Sequence, residues 1–146
     1  MGKMAQEEKN LELAYTLFCD DVRLEVGNKL SFMGVFQNIV VERLPVSLFK
    51  FAVVNHWRGE GTYLSEVRIL APDRQQAVVV SQPTPFELAQ NGFADNISFF
   101  VNVTFPVVGQ YWVQTLIDST LFDEVPLLVA DAEGIQTSED VSERVN

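Results

Sequence analysis

Cysteine and histidine are nearly absent from this chain of 146 residues, since each occurs once, as Cys19 and His56. A single cysteine excludes an intrachain disulfide, and one cysteine with one histidine is too few soft ligands for a closed zinc site. Basic residues are also scarce, with 10 against 20 acidic residues and a formal charge of -10. This balance argues against a phosphate-binding surface, so we expect neither nucleic acid nor an anionic membrane as a partner.

Long apolar runs are lacking as well. No uninterrupted stretch approaches the roughly 18 residues that a membrane-spanning helix needs. The first residues carry Glu7, Glu8 and Lys9, where a secretory signal would require an apolar segment. The glycine-rich phosphate-binding patterns GxGxxG and GxxxxGK(S/T) do not occur. We therefore expect no cofactor. The sequence therefore predicts a cytoplasmic protein.

Valine and phenylalanine are abundant, with 21 and 11 copies respectively. Such β-branched and aromatic residues favour pleated, half-buried strands. The hydrophobic share of 47 % argues against disorder, and the length suits one domain. We predict that residues 13–130 form this domain, between flexible polar tails at 1–12 and 131–146.

Short apolar runs separated by turn residues predict the fold class. Gly27-Asn28 separates the first two runs, and both residues accept the positive φ of a hairpin turn. Residues 97–105 alternate most regularly, with Ile97, Phe99, Val101, Val103 and Phe105 expected on one face and Phe100 on the other. About seven or eight such strands without a long helical period predict an antiparallel β-sandwich or a closed barrel, and an immunoglobulin-like sandwich is the preferred interpretation.

Three local features complete this prediction. The stretch 58–61, Arg-Gly-Glu-Gly, is interpreted as a turn between two strands. The stretch 82–96 is interpreted as a long loop, because it contains two prolines and a glycine. Gly109-Gln110-Tyr111 begins a late strand and makes Tyr111 a candidate tyrosine corner, in which the hydroxyl group ties a loop to the backbone.

The opening hairpin, LFCDDVRLEVGNKLSFMGVFQNIVV, resembles a family of small bacterial proteins of unknown function. The closing segment, FPVVGQYWVQTLIDSTLFDEVPLLV, is similar to the final hairpin of that family. The resemblance implies a single β-sandwich domain in a bacterial cytoplasm. It implies no activity, ligand or catalytic residue.

The densest polar cluster is formed by Asp20, Asp21 and Arg23. Alternation places Asp21 and Arg23 on one face, and the simplest interpretation is an ion pair of Arg23 with flanking carboxylates on a solvated surface. Asp20 aligns instead with apolar residues, and the alternative interpretation makes it a buried acceptor for backbone amides.

A β-sandwich that binds a small ligand or a metal ion is the alternative function, suggested by the acidic clusters and the long loop, and a hydrolase is a remote one. A calcium site would draw on loop carboxylates, although no calcium-binding loop pattern is present. A hydrolase would have to combine Cys19 or a serine with His56, yet carboxylates beside Cys19 would raise the pKa of its thiol. We expect no metal, no catalytic residues and no enzymatic activity. The calcium hypothesis uses Asp118, Asp123 and Glu124.

The remaining feature is a surplus of aromatic residues. Either the 82–96 loop folds back and buries them in a second small core, which is the favoured interpretation, or some stay exposed as a contact patch. The leading hypothesis is a non-enzymatic interaction module that self-associates or binds a protein, through an exposed strand or the aromatic face. The candidate contact residues are Phe86, Phe93, Phe100 and Trp112.

Overall fold

A computed structural model describes residues 10–132, and its regular structure consists of eight β-strands. The all-β prediction is confirmed. The strands are β1 (Leu11–Glu25), β2 (Lys29–Phe36), β3 (Asn38–Val41), β4 (Val46–Leu70), β5 (Ala77–Val80), β6 (Thr84–Phe105), β7 (Gly109–Ile117) and β8 (Thr120–Asp131).

The strands form one eight-stranded sheet in the order β2-β1-β4-β7-β8-β3, and both β5 and β6 pair with β4. Six of the seven strand pairs are antiparallel, but β3 runs parallel to β8. The sheet is therefore mixed, which corrects the prediction of antiparallel pairing throughout. The predicted turn between β1 and β2 is confirmed, since Gly27 and Asn28 have φ angles of 86° and 60°.

Strand β4 passes without reversal through the stretch that the sequence suggested was a turn, so that prediction is wrong. Gly59 and Gly61 have φ angles of 141° and 118°, and they bend the strand instead of ending it. A side chain at Gly59 would collide with the backbone oxygen of Asn10, where β1 begins close by. Glycine at this position thus serves both the bend and a close backbone approach.

The stretch 82–96 belongs largely to strand β6, and its prediction as a loop is also wrong. Pro85 lies at the second position of the strand, whose ladder with β4 uses only one of its edges, so the missing N–H is tolerated. Between the pairs Gly59–Gly92 and Gly61–Leu88, β6 has three residues where β4 has one. This irregularity accommodates the turn-like composition without interrupting the strand.

Gln37 alone separates β2 from β3, which are the first and last strands of the sheet order. Because one residue spans at most about 7 Å between its two neighbours, this link holds the two ends of the sheet order close together.

The principal core contains residues from both ends of β4. Phe51 and Val53 from its first half share one buried cluster with Val67 and Ile69 from its second half. A separate cluster lies near the bend and has the buried Trp57 at its centre. The formerly predicted loop contributes to this second core, as one of the two interpretations expected. The buried residues of the second core are Leu11, Trp57, Tyr63, Leu88, Ile117 and Phe122, with Phe86 packed against them.

Polar side chains also connect β1, β4 and β7 inside the protein. Asn55 is fully buried; its Oδ1 accepts a 2.7 Å hydrogen bond from the Thr16 hydroxyl, and its Nδ2 donates to Thr115 Oγ1 at 3.2 Å. Both ends of the amide are satisfied, so the network does not leave the buried Asn55 unpaired.

The chain ends differ slightly from the predicted domain limits. Strand β1 begins at Leu11, which is buried, so residues 11 and 12 belong to the sheet and not to a tail. The predicted tails at 1–9 and 133–146 lie outside the described residues.

No helix within residues 10–132 has the length and apolar character needed to cross a membrane.

Substituting Gly59 by alanine tests the bend. We expect Gly59→Ala to lower the free energy of unfolding by several kcal/mol, on the order of 3, because the new methyl group meets backbone and φ is positive. Gly27→Ala is the matched control: its φ is also positive, but the nearest atom lies 3.9 Å away, so a cost of about 1 kcal/mol is expected. Urea unfolding measures both, and equal losses would contradict the close approach at Gly59.

Candidate interaction face

Strands β2 and β1, the first half of β4 and the second half of β6 share a face that points away from the principal core. Residues paired directly across strands have their side chains on the same side of a sheet. One row across this face runs Val35, Cys19, Ala52 and Phe99. We call this side of the four strands the outer face.

Two neighbouring rows of the register extend the outer face along the strands. The first joins Leu17, Val54 and Ile97, and the second joins Tyr15, His56 and Asp95. The outer face thus carries apolar side chains at its centre and polar ones at one end.

Small buried side chains form the floor of the outer face. Cys19, Ala52 and Val54 are fully buried beneath larger neighbours that include Leu17 and Ile97. Burial raises the pKa of the Cys19 thiol, and the charge of Asp20 raises it further. The thiol therefore behaves as a small apolar group of the floor.

Five large apolar side chains on and beside this floor are exposed, and we call this set the apolar patch. Phe99 lies in the central row, and Val101 follows it on β6. The patch comprises Tyr15 (41 % exposed), Val35 (56 %), Phe93 (72 %), Phe99 (45 %) and Val101 (56 %).

Charged groups border the apolar patch on two sides. Lys50 Nζ forms an ion pair with Asp21 Oδ1 at 3.0 Å and lies 4.7 Å from the centroid of the Phe99 ring. The hydrogen bond from Lys50, supported by the N–H of Val22, lowers the pKa of Asp21. Since both charges of this pair are largely in solvent, it positions Lys50 over the patch more than it stabilises the fold.

At the opposite border, His56 Nδ1 and Asp95 Oδ1 are 2.6 Å apart. The His56 ring stacks on Tyr15, with centroids 4.9 Å apart and planes 8° apart, and Phe93 packs against it at 5.8 Å. Desolvation raises the pKa of Tyr15, and the charge of Asp95 adds to this. Aromatic stacking and the hydrogen bond together fix the His56 ring at the border.

Phe100 does not belong to an exposed contact surface, which corrects its prediction as a contact residue. It is 4 % exposed and packs in the principal core beside Phe51. The physical reason is Asn102, whose left-handed φ of 54° interrupts the regular alternation of β6. Val103 and Phe105 therefore share the core with Phe100, whereas Phe99 and Val101 point outward.

The two aromatic residues of the former loop have different environments. Phe86 is half-buried and stacks on Trp57, with ring centroids 5.5 Å apart, so it is part of the second core and not an open contact. Phe93 is exposed and belongs to the apolar patch.

Trp112 lies on β7, away from the apolar patch, and a guanidinium group covers it. Arg74 Cζ is 4.1 Å from the centroid of the Trp112 ring, and the same guanidinium donates two hydrogen bonds to Glu124, at 2.7 and 3.0 Å. Gln114 adds a third donor to Glu124 at 2.7 Å. Trp112 is therefore packed within a side-chain network rather than presented as a free aromatic surface.

The polar cluster on β1 is arranged differently from its prediction. Asp20 is exposed, so its interpretation as a buried acceptor is wrong; its carboxylate occupies the space beside Gly34, where a side chain would collide with it. Asp21 forms its ion pair with Lys50, and Arg23 is an exposed neighbour whose charge contributes to the lowered pKa of Asp21. The cross-strand partner could not be identified from spacing along β1 alone.

Tyr111 is fully buried at the start of β7. Its hydroxyl group donates to the backbone oxygen of Val107 at 2.8 Å and accepts from the N–H of Val107 at 3.3 Å. The side chain thus ties the loop before β7 to the strand, and its ring packs edge-on against Phe105.

The residues of the calcium and hydrolase hypotheses do not converge. Within residues 10–132, no group of three or more His, Cys, Asp or Glu side chains is placed to hold a metal ion. Glu124 is bound by Arg74, and Asp118 Oδ1 accepts the N–H of Leu64. Four strand positions separate the Cys19 row from the His56 row, which is about 13 Å.

Sequence reasoning missed four members of the apolar patch: Tyr15, Val35, Phe99 and Val101. Phe99 and Val101 were expected on the same face as Val103, because alternation was extended through Asn102. Asparagine is the residue other than glycine that most readily adopts the left-handed conformation, so Asn102 itself was the available signal.

Comparisons with known proteins identify a family and a similar fold. The model of a family described as a family of unknown function, DUF6941, matches residues 14–130. A search of curated proteins found no match.

Two solved structures resemble the chain at low sequence identity. The structure of Pseudomonas fluorescens alkylpurine DNA glycosylase AlkC, bound to DNA containing an abasic site analog, matches with a TM-score of 0.54 and 7 % identity. The match covers 83 % of this chain and 30 % of that one, so the chain spans less than a third of the glycosylase. DesR, a β-glucosidase from Streptomyces venezuelae in complex with D-glucose, matches with a TM-score of 0.42 and 14 % identity over 60 % of this chain and 14 % of that one. The first likeness concerns the fold alone.

The network over Trp112 makes a pH-dependent contribution to stability. Hydrogen bonds from Arg74 lower the pKa of Glu124 from its ordinary value of 4.5, and Gln114 adds to this. The ionised form therefore stabilises the folded state above pH 4.5, and this stabilisation is lost as the pH falls through the folded-state pKa.

We expect Glu124→Gln to lower stability at pH 7 and to differ less from the wild type at about pH 3, because a larger share of the native carboxyl is protonated there. Urea unfolding at both pH values measures this difference. Glu87→Gln, at an exposed position of β6, serves as the control and should leave both values within about 0.5 kcal/mol. A Glu124→Gln defect that is the same at both pH values would exclude a role for its charge.

Proposed function

The chain belongs to the family of unknown function DUF6941, and we propose that it is a non-enzymatic interaction module that binds protein through its outer face. The observation that carries this proposal is the apolar patch. Single exposed apolar residues are ordinary on protein surfaces, but five large ones on one sheet face are typical of a contact surface.

The construction of the outer face supports this function. Its floor is fully buried, so the strands beneath the patch are held in a fixed register. The Lys50–Asp21 ion pair and the contact between His56 and Asp95 border the apolar centre, in the arrangement of apolar core and polar rim that protein interfaces share. Of the aromatic residues suggested by the sequence, Phe93 contributes to the patch, whereas Phe100 and Phe86 stabilise the two cores.

The charge of the chain favours protein over nucleic acid as the partner. Binding to a phosphate backbone requires clustered lysine and arginine, whereas this chain has a formal charge of -10. The DNA in the AlkC structure is bound by that protein, and the likeness to it does not extend beyond the fold. We propose a cytoplasmic role on the sequence grounds given above.

We also propose that the two halves of the sheet face each other as an immunoglobulin-like sandwich. Residues from both halves of β4 share one core, and Gln37 holds the two ends of the strand order together. The hydroxyl of Tyr111, bound to Val107, has the role that a tyrosine corner has in such domains.

Substituting Phe99 by serine tests the outer face. We expect affinity capture from the native cells, followed by quantitative mass spectrometry, to lose at least about tenfold of the specifically bound protein with Phe99→Ser, because truncating a central aromatic removes a large part of an interface energy. Untagged copies of the chain are counted among the captured proteins.

Phe49→Ser is the matched control. Phe49 is 76 % exposed and lies outside the apolar patch, so its loss removes a similar exposed aromatic from another place. Both variants should show the same thermal unfolding midpoint to within a few degrees. If Phe99→Ser captures the same proteins as the wild type, or if Phe49→Ser loses as much, the outer face is not the binding surface.

A further inference from the structure

Strand β6 has an open edge next to the apolar patch. It pairs with β4 from Gly92 to Phe105, and no other strand within residues 10–132 pairs with its opposite edge. The backbone N–H and C=O groups on such an edge are available to another extended chain.

The open edge of β6 also lacks the usual protection against strand addition. Natural edge strands are commonly protected by lysine, by proline or by being very short. Residues 97–105 contain no charged residue and no proline. The two ends of the strand order are better protected, since β2 begins with Lys29 and β3 has only four residues.

An open groove of about 430 Å³ lies along this edge, between the end of β5 and β6. Its walls leave the edge accessible, and every side chain that lines it is neutral. The lining on β6 consists of residues 97–101, and the facing residues include Val79, Val80, Ser81 and Gln82. The left-handed Asn102 ends the regular stretch, so a pairing strand would contact residues 95–101.

We propose that a second copy of this chain pairs antiparallel with the β6 edge, about a two-fold axis at Ser98. The proposal rests on the proposed function, because pairing of the two edges would continue the outer face of one copy into that of the other. Antiparallel pairing of two identical strands is two-fold symmetric, so both copies satisfy the same edge and no further edge is created. In this register Phe99 lies opposite the partner's Ile97, and Val101 lies opposite the partner's Asp95.

Charge complementarity selects this register. Lys50 pairs with Val101 across β4 and β6, so it lies in the row that the partner's Asp95 would continue. Two strand spacings separate these two residues by about 10 Å, a distance that a lysine and an aspartate side chain together nearly span. Because the dimer is two-fold symmetric, this contact between Lys50 of one copy and Asp95 of the other occurs twice. With the axis at Phe99, the partner's Ile97 would lie in that row, and with the axis at Ile97, the partner's Phe93 would lie there. Either shift removes the attraction between Lys50 and the partner's Asp95.

Sedimentation equilibrium of the full chain tests the edge. We expect the wild type to dimerise, and Val101→Glu to raise the dimer dissociation constant at least about tenfold, because the new carboxylate faces the partner's Asp95 and competes for Lys50. Val40→Glu is the matched control, since Val40 is a similarly exposed valine (49 %) that lies on β3, outside the apolar patch. It should change the constant by less than about threefold. Equal effects of the two substitutions would contradict pairing through β6.

A disulfide tests the register. Ser98→Cys should cross-link two copies rapidly under mild oxidation, because residues opposite each other at a two-fold axis have the Cα separation that a disulfide needs. Thr104→Cys lies on the same strand, is exposed and should cross-link at least about tenfold more slowly. The native Cys19 is buried and does not compete. Equal rates would overturn the axis at Ser98.

The outcomes distinguish this inference from the proposed function. A wild type that stays monomeric at about 0.1 mM overturns the dimer. If Phe99→Ser then still loses captured proteins, the outer face binds other chains and the proposed function stands. If the wild type dimerises through β6 but Phe99→Ser loses no captured protein, pairing is confined to the edge and the role of the patch is wrong.

Discussion

Uninterrupted pairing of β4 with four other strands is the constraint on which the rest of the structure depends. This strand has 25 residues and would measure about 80 Å if straight, whereas a domain of this size has a radius of gyration near 14 Å. It must therefore bend within its length. Gly59 and Gly61 allow the bend, and the two halves of β4 then contribute to one core.

Side-chain alternation along the first half of β4 places its residues on two different faces of the sheet. Phe51 and Val53 point into the principal core, while Ala52 and Val54 form the floor of the outer face. The side chains on both faces of this segment are therefore buried, although the outer face also carries exposed side chains on the neighbouring strands. Asn102 on β6 decides which aromatic residue lies on which side: Phe100 enters the core, and Phe99 remains at the surface.

Local patterns predicted those parts of the fold that depend on neighbouring residues. The hairpin turn at Gly27-Asn28 was recognisable, because turn chemistry and apolar runs agree there. The hydrogen bond by which Tyr111 holds the loop before β7 was suggested by its position two residues after Gly109. A glycine that bends a strand and a glycine that ends one look the same in a sequence, however, and the stretch 58–61 was misinterpreted for this reason.

The candidate site was less predictable than the fold class. Pro85 and Gly92 indicated a loop, although an edge strand with an irregular register accommodates both. The ion pair of Asp21 with Lys50 depends on pairing between strands 29 residues apart, which no spacing within β1 reveals. The composition of the patch depended on a single left-handed asparagine. In each case tertiary pairing overrode a local preference.

Gln37 is the only residue between β2 and β3, which pair with different strands, so this connection has no spare length. β2 is held in register by β1, and β3 is held by β8. An added or deleted residue at this point cannot be absorbed by a loop, because it would rotate one of the two strands and exchange its inward and outward side chains. Chain length is thus fixed at Gln37, whereas the irregular register of β6 at residues 89–91 already accommodates two surplus residues. A change in chain length is therefore absorbed more readily at such a bulge than at Gln37.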